Sequence, residues 1–252
     1  MTLKTGRDGD VATLTLDHPP LNILTQALSR ELRSALAGLA ADPSLRALVL
    51  AAEGKHFSAG ADVSEHLPPA YREMIPEFVA TLETLASFPL PVIAAVRGRC
   101  LGGGFELAQC ADVIVAGEGA TFGQPEIVLG VTAPIACVLL PRRASPGLAS
   151  ELLFGGETIS ALRAQAAGLV QRVVHDDQVE SEAQALAQRF ARHSAAALRL
   201  TKKTLLAAAD RPRRDALREA ASIYLHELMA TEDAVEGLTA FVEKRTPAWR
   251  NR

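Results

Sequence analysis

Two rhythms alternate through the first half of the chain. In "VATLTLD" (11–17) apolar and polar residues alternate, the pattern of a half-exposed strand. "TQALSRELRSALAGLAAD" (25–42) instead repeats leucine at helical spacing through Leu28, Leu32, Leu36 and Leu39, with Thr25 placed as a cap. Continuous apolar runs in "LRALVLAAEG" (45–54) and "LPVIAAVRG" (90–98) predict buried strands, and "VIVAG" (113–117) a further one. "REMIPEFVATLETLASF" (72–88) predicts a helix with Pro76 near its start or at a kink. Between these lie a Pro-rich turn, "HPPLNI" (18–23), and an aperiodic loop, "KHFSAGADVSEHLPP" (55–69). From about residue 134 nearly everything reads as helix, so the pattern predicts an α/β core followed by a helical C-terminal region.

Against this pattern "GRCLGGGFELAQCAD" (98–112) stands out. Three consecutive glycines, Gly102, Gly103 and Gly104, end a predicted strand and open a short predicted helix. Glycine loses more backbone freedom on ordering than any other residue, so bare backbone here has a use. The first N–H groups of a helix lack partners within it and face an end that favours negative charge. A phosphate is one candidate occupant, although neither G-x-G-x-x-G nor G-x-x-x-x-G-K-[ST] is present. The other is an oxyanion, which needs a second donor from another segment. "FSAGAD" (57–62), also following a buried strand, offers the N–H of Ala61. Two carboxylates accompany these loops: Glu106 between Phe105 and Leu107, and Glu126 between Pro125 and Ile127. Apolar neighbours would raise a carboxyl pKa toward neutrality and suit both to proton transfer. The sequence contains no H-E-x-x-H and no G-x-S-x-G, and suggests no metal ligand set; neither metal nor cofactor is expected.

Composition narrows the partners. A net charge of −3 without a basic stripe argues against nucleic acid, and the locally basic "RPRRDALRE" (211–219) reads as a solvated helix face. Cys100, Cys110 and Cys137 form no C-x-x-C pair, which points to a reducing, cytoplasmic setting. The first residues lack the apolar core of a signal peptide, and no apolar run approaches the roughly 18 residues of a membrane span.

Taken in order and spacing, "FSAGAD", "RGRCLGGGFELAQCAD" and "ATFGQPEIVLG" resemble the crotonase (enoyl-CoA hydratase/isomerase) superfamily, and the resemblance extends from "HPPLNIL" to "DAVEGLTAFVEKR". It implies a spiral of repeated ββα turns over residues 1–190, holding an acyl-CoA site. A helical region, 191–252, would drive assembly into a homotrimer or a hexamer made of two trimers. By the same resemblance, the N–H groups of Ala61 and Gly103 form the oxyanion hole for a thioester carbonyl, and Glu106 and Glu126 are the catalytic acids. Lys55, Ala59, Ala61, Asp62, Gly103, Phe241 and Lys244 match substrate or CoA contacts, the last of these and Phe241 often supplied by a neighbouring subunit. Coenzyme A then belongs to the substrate rather than being a cofactor. One stretch departs from the family: many members carry Pro-Gly-x-Gly-Gly after the second glutamate, whereas this chain has "GVTAPIACVLLPRRAS" (130–145). That variant, with "HFSAGADVSEH" and the C-terminal tail, is similar to hydratases of cyclohexa-1,5-diene-1-carbonyl-CoA. The expected activity is addition of water to a conjugated enoyl- or dienoyl-CoA. A short-chain enoyl-CoA hydratase, an enoyl-CoA isomerase and a non-enzymatic RNA-binding homologue are the alternatives.

Overall fold

The computed structural model describes residues 2–251. The chain runs β1 (Leu3–Asp8), β2 (Val11–Leu16), α1 (Gln26–Ala40), β3 (Ala47–Ala52), α2 (Tyr71–Ala86), β4 (Val92–Val96), β5 (Arg99–Leu101) and α3 (Gly103–Gln109). It continues through β6 (Val113–Gly117), β7 (Thr121–Gly123), α4 (Ala136–Arg143), α5 (Pro146–Gly155), β8 (Thr158–Ser160), α6 (Ala161–Ala166) and β9 (Arg172–Val174). Four helices close it: α7 (Val179–Ala191), α8 (Ala195–Ala209), α9 (Arg213–His226) and α10 (Glu232–Val242).

The main sheet has the order β1-β2-β3-β4-β6-β9, antiparallel only between β1 and β2. Its central strands are buried on both faces, which is why β3 and β4 are continuous apolar runs. Leu48, Leu50, Val92, Ala94 and Val96 share one core with Leu28, Leu32 and Leu36 of α1 and Phe78 and Leu82 of α2. Ala47, Val49, Ala51, Ile93 and Ala95 face the other way, against Val179, Ala183, Leu186 and Ala187 of α7. This second cover corrects the reading of β2 as half-exposed: all six of its residues are buried or half-buried, with Val11 packed in the α7 cluster.

A smaller sheet, β5-β7-β8, lies beside the first. The chain thus passes from β4 to β5 and from β6 to β7, one strand in each sheet per turn. Ser58 extends this layer by a parallel bridge to Cys100. Strands β8 and β9 interrupt the stretch after residue 134 in which nearly everything was expected to be helix. Each is only three residues long, too short for a period of two to show. Strand β9 nevertheless completes the main sheet by pairing with β6. Pro76 falls inside α2, and Thr25 caps α1 by accepting from the Leu28 N–H. In the C-terminal region α8 packs against α9 and α10. Buried Lys202 of α8 reaches both carboxylate oxygens of Asp112, just before β6.

Candidate active site

Strand register brings the two glycine loops together. Ser58 N–H donates to the Arg99 carbonyl at 3.1 Å, and Leu101 N–H donates to the Ser58 carbonyl at 3.0 Å. Carried three residues beyond the Ser58–Cys100 bridge, the same register sets Ala61 beside Gly103. The β5–β7 pairing continues through Gly102 N–H, which donates to the Gly123 carbonyl at 3.0 Å. That pairing leads directly into the turn Pro125–Leu129 that carries Glu126. Three successive passes of the chain therefore end at one place.

Bare backbone is needed for that approach. Gly102, the residue ahead of α3, has φ 51° and ψ −130°, a conformation L side chains disfavour. A β-carbon built on Gly104 would fall 2.7 Å from Ser58 Oγ and 2.8 Å from the Ser58 carbonyl oxygen. One built on Gly103 would fall 3.3 Å from the Ala61 nitrogen. The Ala61 and Gly103 N–H groups are thus neighbours, and among the described residues neither donates a hydrogen bond to protein. Two adjacent free N–H groups, one at the start of a helix, suit an oxygen that carries developing negative charge.

Glu106 lies in the first turn of α3 and is 3% exposed. Its Oε1 accepts a hydrogen bond from the Ala136 N–H at 2.8 Å, where α4 begins. Burial pushes its carboxyl up to about 7; the Ala136 and Ile135 N–H groups oppose that rise, and the Glu126 charge adds to it. Glu126 is half-buried, and burial raises its pKa as well, while its own N–H and nearby His66 pull the other way. The same carboxyl abuts the glycines, since a β-carbon on Gly102 would fall 2.8 Å from Glu126 Oε1. Two carboxyl groups close enough to feel one another, both shifted toward the protonated form by burial, suit the taking up and release of protons. Among the described residues no group of three or more His, Cys, Asp or Glu could hold a metal ion.

The remaining expected contacts are spread more widely. Lys55, exposed, and Ala59, half-buried, share the loop with Ala61. Asp62 uses its carboxylate to cap the following turn, accepting from Ser64 N–H at 2.8 Å and Ser64 Oγ at 2.7 Å. Phe241, on α10 and 84% exposed, and exposed Lys244 lie in the C-terminal region, outside the glutamate cluster. Sequence reasoning missed three site residues. Ala136 supplies the N–H that holds Glu106. Gln124, buried, can turn its Nε2 toward Glu126 Oε1 and Oε2 at 3.2 and 3.1 Å. His66 lies within electrostatic range of Glu126. Gln124 and His66 were readable as polar residues inside the two motif loops; Ala136 offered no chemical signal at all.

An α/β spiral whose turns present two free N–H groups beside one buried and one half-buried carboxyl has the crotonase fold. The chain belongs to the enoyl-CoA hydratase/isomerase family, whose model matches residues 6–252, and it is an enzyme of the hydro-lyase class. It is 40% identical over 249 residues to a cyclohexa-1,5-dienecarbonyl-CoA hydratase of Thauera aromatica, covering 98% of this chain and 95% of that one. It is 38% identical over 252 residues to a 2,3-dehydroadipyl-CoA hydratase of Escherichia coli, covering 98% and 97%. Among solved structures, an enoyl-CoA hydratase of Mycobacterium smegmatis superposes with a TM-score of 0.94 at 32% identity, covering 99% of each chain.

Proposed function

We propose that this protein adds water to a conjugated cyclic dienoyl-CoA thioester of the cyclohexa-1,5-diene-1-carbonyl type, with the N–H groups of Ala61 and Gly103 as oxyanion hole and Glu106 and Glu126 as acid–base pair. The observation that carries the mechanism is the adjacency of those two free N–H groups beside the Glu126 carboxyl. The likeness to the Thauera aromatica hydratase supports the acyl group.

Hydration puts the water oxygen on the electron-poor end of the conjugated system and a proton on the α-carbon. As the C–O bond forms, the π electrons move toward the thioester and an enolate oxygen develops. Two N–H donors aimed at that oxygen stabilise it more than the ground-state carbonyl, so they lower the barrier. Glu106, with one oxygen fixed by Ala136 N–H, has the other left to orient water and accept its proton. Glu126, whose protonated form burial favours, delivers a proton to the α-carbon. The proton balance closes because one carboxyl gains what the other gives. Close carboxyls titrate as a pair, so their division of labour is a property of both.

In a ring whose second double bond joins at the α-carbon, water still adds to the β-carbon, and the resulting dienolate takes its proton at the α-carbon or at the far end of that second bond, so the same parts serve a ring. The segment 130–145 is the stretch that departs from the family: where many members have glycines it has Ile135, Ala136, Cys137 and Val138, of which Ala136 is buried and holds Glu106 through its N–H. The test compares kcat/KM for the cyclic dienoyl-CoA and for crotonyl-CoA by loss of conjugated absorbance. The cyclic thioester is expected to be preferred at least about tenfold, the discrimination a fitted apolar pocket can give. Faster turnover of crotonyl-CoA would reassign the protein as a short-chain hydratase.

A further inference from the structure

The hydratase reading leaves Gln124 without a role, although it is 1% exposed and stands between β7 and the turn that carries Glu126. Its backbone is fixed on both sides. The Gly123 carbonyl behind it accepts from Gly102 N–H at 3.0 Å, and Pro125 ahead of it opens the turn Pro125–Leu129. Phe122, two residues back, packs on Phe105 of α3 with ring centroids 5.2 Å apart. The Gln124 side chain makes no capping bond to the turn it precedes, so its amide is available to another partner.

That partner is the Glu126 carboxyl. An amide has a donor end and an acceptor end. With Nε2 toward the carboxyl, Gln124 donates to both oxygens, at 3.2 Å from Oε1 and 3.1 Å from Oε2; turned the other way, its carbonyl oxygen would face the same two acceptors. Oε1 is also the atom that a β-carbon on Gly102 would meet at 2.8 Å, so the amide and the glycine loop both lie against one carboxyl. A charge left on a half-buried carboxylate has lost part of its water, and hydrogen bonds to a charged acceptor are stronger than those to a neutral one. The titratable groups that also act on Glu126 are Glu106 of α3 and His66 of the turn Val63–His66.

We propose that Gln124 is the positioning residue for Glu126: its Nε2 spans both carboxyl oxygens, holds them beside Gly102 and stabilises the charge that appears there as the proton leaves for the substrate. This rests on the hydratase reading of the same site. The contact strengthens as the carboxyl changes from acid to anion, so its benefit falls on proton transfer rather than on substrate binding. A neutral amide does this without adding a charge of its own to the pair of acids.

The pairing is tested without turnover by NMR titration of the full chain carrying ¹³Cδ-glutamate and ¹⁵Nε2-glutamine. In the wild type the Gln124 amide signal is expected to shift with the same midpoint as the Glu126 carboxyl, whose signal is the one lost in Glu126→Gln. An amide signal indifferent to that titration overturns the pairing, and this comparison needs no variant of Gln124. Gln124→Met keeps the length of the side chain and removes the donor. Because that donor favours the anion, its loss is expected to raise the Glu126 midpoint by about one pH unit. An unmoved or lowered midpoint overturns the proposal. In the kinetic arm, Gln124→Met is expected to lower kcat about tenfold or more with KM within about twofold. Unchanged kcat overturns the catalytic half of the proposal. A wild-type protein that hydrates no enoyl thioester overturns the hydratase reading instead, and the NMR midpoints then decide the pairing alone.

Discussion

At the scale of single residues, the proposed chemistry uses carboxyls that burial shifts toward the protonated form. Glu106 titrates near 4.5 unfolded and about 7 folded, burial being the main cause. Between those values the folded chain holds one more proton than the unfolded chain. Stability therefore falls as pH rises through that window, by on the order of 3 kcal/mol over its full width. Glu106→Gln removes this penalty, so its Tm should gain on that of the wild type between pH 4.5 and pH 8, measured by thermal scans at several pH values. A wild-type-like pH dependence in the variant would contradict the assignment. Activity moves in the opposite sense: with Glu106 as the base we propose, hydration should decline as pH drops below about 7. Glu106→Gln and Glu126→Gln should each cost about 10²- to 10⁴-fold in kcat. An isomerase, which needs one base and no bound water, would tolerate one of the two changes. These acids were legible in the sequence because charged residues amid apolar neighbours are rare. Their partners were not: Ala136 acts through a backbone N–H, which no side chain advertises.

At the scale of elements, the site is an outcome of register. The Ser58–Cys100 bridge and the β5–β7 pairing deliver Ala61, Gly103 and Glu126 to one point, although 65 residues separate the first and last in sequence. Gly104→Ala tests this, because its β-carbon would run into Ser58. It should destabilise by about 1–3 kcal/mol in denaturant titration and depress kcat by shifting the Gly103 N–H. The long elements were readable from pattern: α1 from its leucine spacing, β3, β4 and β6 from their apolar runs. Strands β5, β7, β8 and β9 were not, since three residues cannot display a period. Strand β1 escaped as well, because five of its six residues are exposed and polar or small. The glycine motif was visible, but the second sheet that places it was hidden in those short strands.

At the scale of the whole molecule, the C-terminal helices leave much apolar surface uncovered. Leu217, Leu225, Leu238, Phe241 and Val242 are all more than half exposed. Exposed apolar surface on that scale suits a protein partner, and we propose that it serves self-assembly through the region 191–252. Light scattering should give the mass of three or six chains, and Phe241→Asp should shift it toward smaller species; a monomeric wild type would contradict the assignment. The ion pair of Lys202 and Asp112 ties this region to the core, so Lys202→Met should destabilise the chain by about 1 kcal/mol, because Asp112 is exposed and still accepts from Val92 N–H. The most direct test of the whole is a crystal structure with a non-reactive acyl-CoA thioester bound. The thioester oxygen should lie about 2.7–3.1 Å from both the Ala61 and Gly103 nitrogens, with the acyl α-carbon beside Glu126. A carbonyl held anywhere else, or by one of these amides alone, would contradict the two-donor site.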